Sequence, residues 1–135
     1  MNGRVATRVY RDMHIKLKRV YENATKSDGM RVLVERLWPR GLTKEKAKVD
    51  WWVRDVAPSD GLRKWYGHAP GKWPEFQKRY RAELRGKKDL IRELRHKARN
   101  GRVTFVFAAK DERRNSAVVL KQVVDGRSRR SIKHK

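Results

Sequence analysis

Residues 14–21, HIKLKRVY, alternate apolar Ile15, Leu17 and Val20 with basic residues, close to the period of two that gives a strand one wet face. The alternation slips once, between Leu17 and Val20. ENATKSDG then supplies turn formers, and MRVLVERLW gathers Val32, Leu33, Val34 and Leu37 into a second strand, expected over 30–37. Pro39 pushes Trp38 out of helical geometry and cannot donate to a ladder, so this strand should end at or before it. After an irregular excursion with a helical turn at TKEKA, the period changes to that of a helix. Pro58-Ser59-Asp60 offers cap chemistry ahead of GLRKWYGH, in which Leu62, Trp65 and Tyr66 share a face and Gly67 ends the turn. Trp73, Phe76, Tyr80 and Leu84 recur at steps of three, four and four, which predicts an amphipathic helix over 72–85 with Pro74 in its first turn. Leu90, Ile91, Leu94 and Ala98 predict another over 88–99, stopped by Asn100-Gly101. VTFVFAA is continuously apolar, as suits a central strand at 103–108 covered on both faces, and SAVVLKQVV reads as a helix over 115–124.

Strands alternating with helices give an α/β fold: a small, mainly parallel sheet of three or more strands flanked by helices, in a single domain. The expected boundaries are a basic extension at 1–13, the α/β domain at 14–124 and a basic tail at 125–135 too poor in apolar residues to fold.

Charge changes the picture most. Lys and Arg number 37 against 15 Asp and Glu, a formal net charge of +22. Residues 1–12 contribute +2 and 126–135 contribute +5, which leaves +15 in the body. Such a surface needs counter-charge, and the expected partners are DNA or RNA, met through phosphates, or a phosphate-bearing small molecule. A solvated surface rich in Lys and Arg is the bland alternative. No run is long and apolar enough for a membrane partner, and MNGRVATRVYRDM lacks the apolar stretch of a signal peptide. With no Cys and four scattered His, neither a metal site nor a cofactor is expected, and the cytoplasm is the expected compartment.

In open α/β sheets ligands collect at the carboxyl ends of the strands. Here these ends carry Arg36, Trp38, Arg40 and Gly41 after the second strand, and Lys110, Asp111, Arg114 and Asn115 after the third. Arg36 either pairs with Glu35 or Asp111 or clamps a phosphate. Gly41 would let backbone approach a ligand closely. Lys110 completes the anion-binding set, and Asn115 stands before a helix whose free N–H groups favour an anion. His68 in WYGHAPG and Asp111 are the candidate proton carriers. Each has a structural alternative: a solvated loop histidine, and an ion pair of Asp111 with Lys110. Glu83, beside Tyr80, is a candidate partner for one of the arginines. Trp51 and Trp52 cannot both face inward if extended, so one is expected in the core and the other as a lid over the pocket floor.

The strings RLWPRG, LRKWYGH, W-x-x-F-x-x-x-Y-x-x-E-L and AAKD, spread over residues 14 to 124, resemble the YeaO-like branch of the domain of unknown function 488 family. The resemblance implies a small α/β fold and supplies no assigned reaction, although the family's motifs have suggested an enzyme. After AAKD relatives carry a His-Asn-His-Ala type segment, where this chain reads Arg114-Asn115-Ser116-Ala117. Roles resting on those histidines are absent here. Two functions follow: a nucleic-acid-associated protein with an anion pocket at the strand ends, or an enzyme acting on a phosphorylated or nucleotide-like molecule. A structural component of a ribonucleoprotein assembly is a third. The enzyme reading lacks a nucleophile, with no Gly-x-Ser-x-Gly and no phosphate-cradling glycine loop.

Overall fold

A computed structural model describes residues 13–126. Four strands, β1 (Ile15–Arg19), β2 (Met30–Leu33), β3 (Trp51–Trp52) and β4 (Val103–Phe107), form one sheet in the order β1-β4-β2-β3 with every pair parallel. Five α-helices accompany them: α1 (Lys44–Ala47), α2 (Asp60–Tyr66), α3 (Trp73–Arg85), α4 (Lys88–Arg99) and α5 (Ser116–Val124). The expected α/β class therefore holds, and the three strands and three long helices read from periodicity are all present.

The continuous apolar run of β4 lies at the centre of the sheet, and all five of its residues are buried. One face of the sheet carries Ile15, Val32, Val34, Val103, Phe105 and Phe107, packed against Phe76, Tyr80, Leu94 and Leu120 of the helices. Burying an aromatic or aliphatic side chain of this size contributes about 1.5–3 kcal/mol, so this face supplies most of the apolar driving force. The local devices follow the sequence. Ser59 Oγ caps α2 at Leu62 N–H (3.2 Å), and Gly67 closes it with φ 51°. Tyr80, fully buried, keeps its hydroxyl satisfied by donating to Val56 O at 2.7 Å.

The opposite face is built differently. Val20, Leu33, Ala47 and Val106 form a small apolar cluster flanked by Trp38, Leu42, Val49 and Trp52. Beside it Asp28 is completely buried and carries an ion pair with Arg31 at 2.8 Å. Lys16 and Lys18 reach the same carboxylate at 3.0 and 3.1 Å, and Thr25 donates both its N–H and its hydroxyl. Burial alone would raise the Asp28 pKa, but the bonds from Lys16, Thr25, Arg31 and Lys18 outweigh it and hold the group well below the usual carboxylate range. Arg31 in turn donates to the carbonyls of Ala47 and Val20, and Thr104 Oγ1 donates to Asp28 O at 2.7 Å. ENATKSDG is thus more than a turn. Its Gly29 has φ 61°, and a Cβ there would lie 2.3 Å from Arg102 O, so only glycine permits the approach to the start of β4.

Two boundaries differ from the sequence reading. β2 stops at Leu33 instead of running to 37, because Ala108 N–H is taken by the Glu35 carboxylate (2.8 Å) rather than by a further ladder carbonyl. Trp51 and Trp52, one expected in the core and the other as a lid, form a short edge strand in register with Val32 and Leu33. Their side chains leave on opposite faces, Trp51 to the helical core and Trp52 to the smaller cluster. Glu83 does not pair with an arginine as its expected partner. Its carboxylate accepts from Ser59 N–H and Oγ at 2.9 and 2.6 Å, tying α3 to the start of α2. The expected extension and tail lie almost wholly outside the described residues, which at the C-terminal side include Asp125, paired with Lys121 at 2.8 Å.

Replacing Asp28 with Asn leaves the buried Arg31 cation uncompensated, a loss of about 3–5 kcal/mol expected from breaking one side of a buried pair. Urea unfolding at neutral pH measures it, and a loss under about 1 kcal/mol would contradict the role given to Asp28. The pH dependence has a fixed sign. The folded pKa lies below the unfolded value of about 3.9, so the stabilisation is complete above that value and is lost as pH falls below it.

Candidate functional site

β2 and β4 are neighbours whose outgoing segments leave on opposite faces of the sheet. The segment after β2 leads to α1, whose Ala47 packs in the small cluster; the segment after β4 leads to α5, which packs in the helical core. This divergence is the topological switch point at which open α/β sheets hold ligands. Glu35 occupies it. Its main-chain oxygen accepts from Trp52 Nε1 at 2.6 Å, while its carboxylate spans the gap to Ala108 N–H.

Burial pushes the Glu35 carboxyl above its ordinary pKa; the Ala108 hydrogen bond and the charges of His68 and Arg63 oppose this only in part. A carboxylic acid held toward its neutral form can store or pass a proton. His68 adopts φ 58°, unusual for a residue with a Cβ, and its ring centroid lies 5.8 Å from that of Tyr66. Tyr66 donates its hydroxyl to Arg114 O at 3.2 Å, linking α2 to the loop after β4. Burial raises the Tyr66 pKa, and the nearby Asp111 charge raises it further.

The other candidates divide between the two faces. Asp111 accepts from the N–H groups of Arg113 and Arg114 and from Arg114 Nε at 2.9–3.0 Å, and these bonds lower its pKa. An ionised, loop-closing carboxylate is a proton acceptor, not a donor. Its side-chain ion pair is with Arg114, not with Lys110. Asn115 caps α5 at Val118 N–H (3.1 Å) and donates to Asp111 O at 2.9 Å, so both ends of its amide are engaged in the loop. Arg36 pairs with neither Glu35 nor Asp111; it donates to Pro58 O and Ala57 O at 3.0 and 3.1 Å. Lys87 reaches the carbonyls of Asp55 and Ala57 in the same stretch; burial, with the Arg36 charge, lowers its pKa.

On the opposite face, Trp38 donates to Leu42 O at 2.7 Å and meets Trp52 edge-on, with centroids 5.5 Å apart. Gly41, at φ 81°, lets the chain turn so that Leu42 N–H reaches Pro39 O at 3.4 Å. Arg40 is exposed, its carbonyl tied to Tyr21 Oη at 2.9 Å. The side chains of Arg40 and Lys110 have no hydrogen bond or ion pair among the described residues. Glu35, Arg63 and Tyr66 were missed as candidates. The clue for Glu35 was a lone acid breaking the apolar run of VLVER where that strand should end.

Two concave surfaces lie away from this edge. One of about 450 Å³ runs between α3, α4 and the end of α5; another, of about 750 Å³, lies by His14, Lys16 and Arg102. No group of three or more His, Cys, Asp or Glu suited to a metal exists among the described residues, and no helix there is long and apolar enough to cross a membrane.

Because burial raises the Glu35 pKa in the fold, its contribution to stability is full below the unfolded carboxylate pKa and declines as pH rises through the folded value. Glu35→Gln keeps an acceptor for Ala108 N–H and removes the titration. Thermal melts at pH 4.5 and 7.5 should therefore show a smaller pH-dependent loss in the variant than in the parent. Equal pH dependence would remove Glu35 as a strained group.

Comparison with known proteins gives kinship without an activity. Residues 14–134 match the family described as "Inactive DUF488-N3 subclade". The chain is 43% identical over 117 residues to the uncharacterized protein Rv3073c of Mycobacterium tuberculosis, covering 87% of this chain and 98% of that one. It is 38% identical over 108 residues to the uncharacterized protein YeaO of Escherichia coli, covering 80% and 94%. No solved structure matches.

Proposed function

The chain belongs to the inactive DUF488-N3 subclade of YeaO-like proteins, and on that premise we propose that it associates with nucleic acid, contacting phosphates without reading base sequence. The observation that carries this reading is the +15 net charge of residues 13–126, which remains after exposed pairs such as Arg63–Asp60, Arg79–Glu75 and Arg114–Asp111 are counted. A cationic surface of this kind gains affinity by releasing the counterions condensed on phosphates. The description of the subclade as inactive, and the absence of any cysteine, favour binding over turnover on a phosphorylated small molecule.

The reading includes an anion pocket where β2 and β4 end. Arg40 and Lys110 would supply the charge, since their side chains are unengaged, while Arg36, Gly41 and Asn115 shape the loops around them. Sulfate or phosphate should raise the melting temperature by an amount following RT ln(1 + [L]/Kd), and Arg40→Ala should abolish the rise with little change in the unliganded protein. An unchanged rise in the variant removes Arg40 from the pocket.

Fluorescence anisotropy with labelled oligonucleotides tests the larger claim. Affinity should fall steeply with salt, each phosphate contact on a duplex adding about −0.9 to the slope of log K against log salt. Removing residues 127–135, which carry +5, should flatten the slope and leave measurable binding through the +17 that remains, +15 of it in the body. Failure to bind any oligonucleotide at roughly 50 mM salt overturns the reading.

A further inference from the structure

The groove between α3, α4 and the C-terminal end of α5 is lined by Arg81, Arg85, Lys88, Arg92 and Arg95 above Leu84, Ile91 and Val123. On α3, Arg81 and Arg85 stand four residues apart. On α4, Lys88, Arg92 and Arg95 stand at steps of four and three. Each helix thus lines the groove with like charges, at a spacing that disfavours a helix. Compensation of Arg85, Lys88 and Arg92 inside the fold is slight. Arg92 pairs with Asp89, but both are largely exposed. Arg95 donates to the carbonyls of Val124 and Val123, and Arg81 to Gln122 Oε1. Arg85 and Lys88 have no hydrogen bond or ion pair to another side chain among the described residues. Lys88 moreover occupies the first turn of α4, where unpaired N–H groups already favour negative charge.

We infer that this groove is the track for the phosphodiester backbone of single-stranded nucleic acid. The inference rests on the nucleic-acid reading above and gives it a location, apart from the strand-end pocket. Two rows of cations about a depression match a line of phosphates. At the floor half-buried Val123, over buried Leu84 and Ile91, offers apolar surface to an unpaired base, and guanidinium planes give bases a face to stack on. A duplex, whose bases are turned inward, gains nothing from that floor.

The test compares two pairs of charge reversals in the full chain. Arg85→Glu with Lys88→Glu alters the groove; Lys44→Glu with Lys46→Glu makes the same change in charge on exposed α1. Anisotropy with a labelled oligothymidylate at several salt concentrations is the readout, with circular dichroism and melting temperature confirming the fold. The groove pair should lose about 30-fold or more in affinity, and its salt slope should shrink by about 1.4, the value for two phosphate contacts on a single strand. The α1 pair should lose about threefold or less. If the groove pair does not fold, Arg85→Gln with Lys88→Gln replaces it, with the same change in slope expected. Equal losses for groove and α1 overturn this inference and leave the nucleic-acid reading standing. An unmodified protein that binds no oligonucleotide overturns both.

Discussion

The buried carboxylate of Asp28 is the point through which the second face of the sheet is assembled. A lone ionised carboxylate with no solvent exposure would be strongly unfavourable, and three cations together with the backbone and hydroxyl of Thr25 make it tolerable. Those partners come from β1, the β1–β2 connection and β2, while Arg31 extends the network to Ala47 and Asp28 O accepts from Thr104 on β4. Asp50 completes it by accepting from Arg31 N–H at 2.8 Å. A connection too short for a crossover helix thus joins two parallel strands that flank β4. Gly29 is part of the same constraint, since a side chain there would collide with Arg102.

With that face fixed, the remaining geometry follows from where segments leave the sheet. Apolar residues of β2 and β4 alternate between two cores, so the excursion with α1 covers one face and α2 to α5 the other. The gap that opens between the ends of β2 and β4 is closed by Glu35, whose backbone is anchored by Trp52 and whose carboxylate replaces a ladder acceptor. Arg36, next in sequence, turns to the carbonyls of Ala57 and Pro58 and holds the stretch leading into α2. The same stretch is gripped by Tyr80, Glu83 and Lys87. Residues that resemble a phosphate clamp in sequence are therefore partly structural.

The cations differ in what engages their side chains. Arg19, Arg31, Arg36 and Arg95 spend their donors on main-chain carbonyls, where a planar guanidinium can satisfy two acceptors at once. Such arginines close the fold at strand and helix ends. Arg40, Arg85, Lys88 and Lys110 do no such service, and they stand at the strand ends and along the helical groove.

The sequence by itself determined the class of fold, the central placement of 103–107, the long helices and the excess of positive charge. These depend on local period and composition, which a single chain displays directly: five consecutive buried residues in β4, steps of three and four in α3, caps at Ser59 and Asn115. Tertiary structure alone decided that the Asp of ENATKSDG would be buried, that Glu83 would hold Ser59, and that Trp51 and Trp52 would form an edge strand. It also decided that the site candidates would divide between two faces, and that Glu35 would be the acid at the switch point. Periodicity records which face of an element is apolar, but an ionisable side chain takes its role from partners far along the chain. Ala108, which fixes Glu35, lies 73 residues away, and no pattern near Glu35 encodes that distance.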